Sequence, residues 1–287
     1  SDPLPVWVLP NATFQVLAPD GRHLYSVCED REQGVRTNGS ICALSIEPES
    51  GRVALMERRS SLGDGPCHLA LAPRGGHVVV SHYASGSVAV FPLRPDGTLG
   101  EPSAYVQHHG GSGVVADRQE GPHAHSTAFS PDGRILYAAD LGQDRLRISR
   151  FDPADGSLKP GDPTEVMSAP GSGPRHLAWH PGGRLLAVVH ELDNTVALYA
   201  PEGESGGLRR LQMVSTLPSG WVGTSYAAEV QFSPDGRFLY ASNRGHDSVA
   251  RFTVDAERGT LDPRGCASVN GRWPRHFRLT PDGGYLF

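Results

Sequence analysis

Short apolar runs follow one another along the whole chain, cut at regular intervals by a proline-glycine turn, and this pattern predicts strands throughout. The turns read Pro19-Asp20-Gly21-Arg22, Pro131-Asp132-Gly133-Arg134 and Pro234-Asp235-Gly236-Arg237, with variants at Pro73-Arg74-Gly75, Pro181-Gly182-Gly183 and Pro281-Asp282-Gly283. Their glycines recur every 47 to 58 residues, so one structural unit is repeated. The third repeat, from Gly121 to about Met167, shows its content. His125–Ser130 predicts a first strand, Pro131-Asp132-Gly133 a tight turn, and Ile135–Asp140 a second strand. Arg145–Phe151 alternates as a third strand, and Asp155-Gly156 turns the chain into a fourth. The second strands, such as Leu185–Val189 and Phe238–Ala241, are nearly continuous apolar runs, as expected where both faces of a sheet are covered. Helical periodicity is absent.

Four short antiparallel strands per repeat of about 50 residues predict an all-β protein, a β-propeller of four-stranded antiparallel blades. The repeat runs through residues 1–287 with no compositional break, so the expectation is one domain. Five repeats are complete, and a sixth begins at Trp273-Pro274-Arg275 and stops inside its second strand. Val6-Trp7-Val8-Leu9 reads as a remnant strand, so the ring is expected to be incomplete at both ends.

Composition narrows the partners. Hydrophobic residues at 38% against 20% charged can fill a large core, which excludes disorder. A net charge of −5 argues against nucleic acid or an acidic membrane surface as the main partner. No apolar stretch approaches a membrane span. Cys28, Cys42, Cys67 and Cys266 form no paired motif, which points to a reducing compartment and a cytoplasmic location.

Antiparallel pairing places the start of each first strand beside the end of the second, at the blade end opposite the Pro-Asp-Gly turn. Six residues before each turn proline, the first-strand positions are Thr13, Cys67, His125, Arg175, Ala228 and Arg275. Eight residues beyond the turn glycines, the second-strand ends are Glu29, Tyr83, Leu141, Glu191 and Arg244. Framework positions of a repeat should converge on similar residues, and these do not. Three arginines at one mouth would grip a carboxylate or phosphate, with Glu191 and His125 available for proton transfer. Neighbouring cations would hold Glu191 ionised while burial would oppose it. Each position alone also reads as a solvated rim residue. His68, His176 and His276, one residue further along, read as packing or hydrogen-bonding residues, and Glu229 in that register could line the pocket. His123 and His125 resemble a metal pair, but no third ligand follows at a recognised spacing, so no metal is assigned. Gly111-Ser112-Gly113 and Gly171-Ser172-Gly173 fit neither a nucleophile elbow nor a phosphate loop and read as connections between blades.

Four strings, Arg118–His125, Asp140–Asp144, Gly173–Pro181 and Leu239–Gly245, together resemble the seven-bladed β-propeller lactonase family over essentially the whole chain. That family includes a bacterial type of 6-phosphogluconolactonase and is similar to fungal carboxymuconate-lactonizing enzymes. The resemblance implies seven blades and a catalytic set of one histidine, two arginines and a glutamate, which falls on His125, Arg175, Glu191 and Arg244. It further points to hydrolysis of a small anionic sugar-acid lactone, expected to need no cofactor. The residue reading adds Arg275, His123, Glu229 and Tyr83 as substrate-binding candidates. Alternatives are reversible lactone formation from an unsaturated dicarboxylate and a non-catalytic binding scaffold. The chain departs from the family at His82-Tyr83 and His190-Glu191, where asparagine often precedes the second residue.

Overall fold

The computed structural model describes residues 9–32, 35–36 and 38–287, so most of the expected remnant strand, Val6 to Val8, lies outside the described residues. The first four-stranded sheet holds β1 (Ala12–Leu17), β2 (His23–Cys28), β5 (Asn38–Ile46) and β6 (Val53–Asp64), with a small hairpin of β3 (Arg31–Glu32) and β4 (Val35–Arg36) between β2 and β5. β7 (Pro66–Leu71), β8 (His77–His82), β9 (Ser87–Pro92) and β10 (Ala104–Gln107) form the second. The third holds β11 (Ala124–Phe129), β12 (Ile135–Asp140), β13 (Arg145–Phe151) and β14 (Leu158–Met167). β15 (Pro174–Trp179), β16 (Leu186–His190), β17 (Thr195–Glu202) and β18 (Gly207–Ser215) form the fourth, and β19 (Tyr226–Phe232), β20 (Phe238–Arg244), β21 (Ser248–Asp255) and β22 (Thr260–Ser268) the fifth. Each sheet is a propeller blade, and β12 and β13 have the bounds that the apolar pattern predicts. The sixth repeat opens with a bridge between Leu279 and Leu286 around the Pro281-Asp282-Gly283 turn. No α-helix occurs among the described residues.

The repeated turn closes for a local reason. In its fifth copy the Asp235 carboxylate accepts from the Arg237 amide at 3.0 Å and from the Ser233 hydroxyl at 2.6 Å, an Asx-type turn. Gly236 follows at φ 72°, where a side chain is strained, and a Cβ there would stand 2.3 Å from His180 Nε2. Glycine is therefore required twice over, by backbone and by packing.

The chain divides into two compact units. One comprises residues up to Gly111, Glu120–Ala138 and Ser149–Pro160, and the other Ser112–Gln119, Ala139–Ile148 and Gly161–Phe287. The third sheet contributes strands to both. In the first unit, Val78 and Val80 of β8 pack with Ile41, Ala43 and Phe91, while Val79 faces Val88, Val90 and Phe129. Opposite faces of one strand thus serve two cores, which is why its apolar run is continuous. In the second unit, Ala187 and Val189 of β16 join Leu198, Val230, Leu239 and Phe252 in one cluster. Fully burying each such side chain contributes about 1.5–3 kcal/mol.

Candidate functional site

Residues that begin each first strand are set apart by a break in pairing. In the fourth sheet Pro174 pairs with His190 and His176 with Val189, so the ladder register skips Arg175 as an extra residue. Thr13 and Cys67 occupy the same kind of irregularity in the first and second sheets. In the fifth, Ala228 and Glu229 lie between the pairs Ala227–Asn243 and Val230–Ala241. A β-bulge bends its strand and re-aims side chains, and here it delivers Arg175 next to the end of β16.

The second unit brings together Arg175, Glu191 and Arg244. Glu191 Oε2 accepts from Arg175 Nε at 3.0 Å and from Arg244 Nη2 at 2.8 Å. These three side chains are 2 to 6% exposed. Three successive carbonyls of β19 accept hydrogen bonds from the guanidinium groups. Arg244 Nε donates to Tyr226 O at 3.2 Å and its Nη2 to Ala227 O at 3.3 Å, while Arg175 Nη1 donates to Ala228 O at 2.7 Å. Arg244 lies 5.8 Å from the ring centroids of both Tyr226 and Trp273, a cation–π arrangement that holds it in place.

A residue outside the repeat register completes the cluster. Arg118, from the segment between β10 and β11, donates through Nη2 to Glu191 Oε1 at 2.5 Å and stands 5.4 Å from the Tyr226 centroid. Sequence reasoning passes over it because a connecting segment has no repeat position to compare. The contest at Glu191 is decided here. Burial raises its pKa, but the Arg175, Arg244 and Arg118 charges, with the Arg118 hydrogen bond, outweigh burial and bring the carboxyl down to about 2. Burial lowers Arg175 to about 10, which leaves it a cation at neutral pH.

Glu229 heads a neighbouring group. Its Oε2 meets His176 Nδ1 at 3.0 Å and His276 Nδ1 at 2.5 Å. Burial opposes ionisation of Glu229, and its two histidine partners overcome that and hold its pKa below the ordinary value. Burial, reinforced by the Arg175 charge, lowers His176 to about 4 and keeps its ring neutral. Exposed Arg275 adds positive field, lowering both Arg175 and Arg244 after burial and their neighbours' charges are counted.

The remaining candidates form a group in the first unit. Tyr83 stacks on His123 with ring centroids 4.4 Å apart and meets His125 edge-on at 5.4 Å. His123 Nδ1 lies 2.8 Å from Tyr83 O, and the Cys67 thiol donates to His125 O at 3.2 Å. His123 precedes β11 rather than sharing a face of it with His125, so the alternation argument for a metal pair does not apply. Among the described residues no group of three or more histidine, cysteine or acidic side chains is placed to hold a metal ion. His68 meets Phe14 at a tilt, with ring centroids 4.4 Å apart.

The two glycine runs are connections, as expected. Asp144, at φ 55°, accepts from the amides of Gly171 and Gly173 at 2.7 and 2.8 Å and from Gln119 Nε2 at 2.7 Å. The departures His82 and His190 are buried supports. His82 Nδ1 bonds with Ser87, and His190 bonds with Ser168 and Thr195. A cavity of about 750 Å³ in the second unit is lined by Leu217, Trp221, Phe252 and Pro263 among others, and by none of the site residues.

Comparison with known proteins follows the same lines. The chain is 34% identical to a 6-phosphogluconolactonase of Bacillus subtilis, over 100% of this chain and 79% of that protein. Its structure is similar to that of a periplasmic gluconolactonase of Pseudomonas aeruginosa, with a TM-score of 0.93 and 37% identity over 100% of this chain and 80% of that one. A putative 6-phosphogluconolactonase of Bacteroides uniformis superposes with a TM-score of 0.89 at 33% identity, covering 99% of this chain and 79% of its own. The periplasmic Pseudomonas protein overturns the cytoplasmic location expected from the cysteines. The four cysteines form no disulfide with one another and three are buried, so they report packing rather than compartment. Residues 2–287 match the family described as "Lactonase, 7-bladed beta-propeller", and the chain belongs to that family.

Proposed function

We propose that this chain is a lactonase that hydrolyses the ring ester of a sugar-acid lactone of the 6-phosphogluconolactone type, with Arg175, Glu191 and Arg244 as its catalytic centre. The observation that carries this reading is one buried carboxylate oxygen shared by two buried guanidinium groups. Such a centre is preorganised for charge that develops on a carbonyl oxygen, because its donors are fixed before the substrate arrives. Water adds to the lactone carbonyl, forming a new C–O bond while its proton passes to Glu191. Arg175 and Arg244 stabilise the oxyanion that results. Collapse of the tetrahedral intermediate breaks the bond to the ring oxygen, which takes the proton back from Glu191 and leaves as the hydroxyl of the open sugar acid.

Electrostatics supports an anionic substrate. Arg118, Arg175, Arg244 and Arg275 set four positive charges against the two negative charges of Glu191 and Glu229, an excess of two. The relatives named above carry the names of lactone hydrolases, which favours hydrolysis over lactone formation from a dicarboxylate and over a scaffold role. The His125, His123 and Tyr83 group carries no step in this scheme.

The test is a hydrolysis assay of 6-phosphoglucono- and glucono-δ-lactone. Removing one fixed donor from such a site costs about 3 kcal/mol of barrier, so Arg175→Ala should lower kcat by about a hundredfold or more. A folded Arg175→Ala variant with undiminished turnover would remove Arg175 from the mechanism.

A further inference from the structure

Glu191 holds its two oxygens differently. Oε2 sits between Arg175 and Arg244, both buried, while Oε1 accepts from Arg118, whose side chain is 27% exposed. A water molecule activated by Glu191 must approach Oε1, since Oε2 already faces two guanidinium groups, and in the structure Arg118 covers part of Oε1.

The support of Arg118 separates backbone from side chain. Its neighbour Gln119 is fully buried and donates through Nε2 to Leu141 O at 2.8 Å and to Asp144 Oδ1 at 2.7 Å. Gln119 Oε1 accepts from the Val115 amide at 3.0 Å, and the amides of Arg118 and Gln119 both donate to Val115 O. The main chain is therefore clamped one residue away, and the guanidinium reaches Glu191 across a flexible stem. Its platform is the face of Tyr226, over which a guanidinium can shift without losing the aromatic contact.

From this arrangement we infer that Arg118 is a substrate-responsive cover on Glu191: it takes the anionic group of the lactone, and in turning to it uncovers Oε1 as the base. The inference rests on the lactonase reading above. It adds a reason why an anionic substrate would be turned over in preference to a neutral one. An uncharged lactone leaves Arg118 on the carboxylate, where its hydrogen bond and charge add to the charges of Arg175 and Arg244 in keeping Glu191 a weak base. An anionic group at Arg118 removes that hydrogen bond and offsets the Arg118 charge, while Arg175 and Arg244 stay in place. Arg118 thus acts as a specificity and positioning residue, and the bond-making steps remain with Glu191, Arg175 and Arg244.

The experiment compares wild type, Arg118→Ala and Arg118→Lys in three measurements, after circular dichroism has shown each to be folded. Calorimetric titration with inorganic phosphate should show affinity at least tenfold weaker in Arg118→Ala and partly restored in Arg118→Lys. Preference for 6-phosphoglucono- over glucono-δ-lactone, as the ratio of kcat/KM values, should fall at least tenfold in Arg118→Ala. With the neutral lactone, the acid limb of the kcat/KM profile should move to higher pH in Arg118→Ala, because removing a neighbouring cation raises a carboxyl pKa. Phosphate affinity within twofold of wild type, with an unmoved acid limb, would overturn the inference. If Arg118→Ala does not fold, the same readouts on Arg118→Gln decide, since its side chain keeps part of the reach and carries no charge. A wild type that binds phosphate through Arg118 but hydrolyses neither lactone would sink the lactonase reading and leave the anion site standing.

Discussion

Glu191 is a carboxyl that burial would neutralise and three guanidinium groups keep charged, and the charges prevail. The cost appears when the partner is removed. Glu191→Gln leaves Arg118, Arg175 and Arg244 without their anion, and breaking a buried ion pair from one side costs about 3–5 kcal/mol. Urea unfolding of Glu191→Gln should therefore show a clear fall in midpoint beside the loss of lactonase activity. An unchanged midpoint would mean that the cations find water instead. At this scale the sequence was informative where the repeat supplied a comparison. Arg175, Glu191 and Arg244 stand out because equivalent positions in other repeats hold unlike residues such as Cys67, Tyr83 and Leu141. Arg118 has no equivalent, and its contribution comes from a segment whose path only the folded chain reveals.

Among elements, the turns and second strands were the most legible, since the Pro-Asp-Gly geometry and the continuous apolar runs each have one local cause. The bulges were not. An extra residue in a first strand leaves no mark in composition, and it shows only as the jump from Pro174–His190 to His176–Val189 pairing. His82 and His190 were unreadable for a related reason: a departure from the family's usual asparagine names no role, and only their hydrogen bonds make them props beneath the second-strand ends. The turns offer a direct test. Gly236→Ala would force a left-handed conformation costing roughly 1–2 kcal/mol and push a methyl group against His180. Equilibrium unfolding should register a loss of at least that size, and no loss would show that the turn can be rebuilt without glycine.

For the molecule as a whole, the buried histidines set the response to acid. Burial lowers His82, His176 and His190 from the ordinary 6.5 to about 4, so all three are neutral when folded at pH 6. The unfolded chain takes up protons at these positions as pH falls through 6.5, and the folded chain does not until about 4. Their stabilising effect is therefore complete above 6.5 and diminishes as pH drops from there. Glu191 adds to it in the same direction, losing its contribution between its ordinary 4.5 and about 2. The urea midpoint should be flat near pH 7 to 8 and decline steadily from pH 6.5 to 4. A midpoint constant across that range would show that these rings are solvated. Compartment, by contrast, was not legible from four thiols, because packing alone accounts for where they sit.

The residue that the ladder skips at the head of a first strand also bears on how such a protein can change. Because the ladder skips Thr13, Cys67 and Arg175, no hydrogen-bond register depends on what those side chains are. Each of these three sheets thus keeps one slot exempt from the rules that fix its neighbours, and new chemistry can be tried there while the architecture stays indifferent.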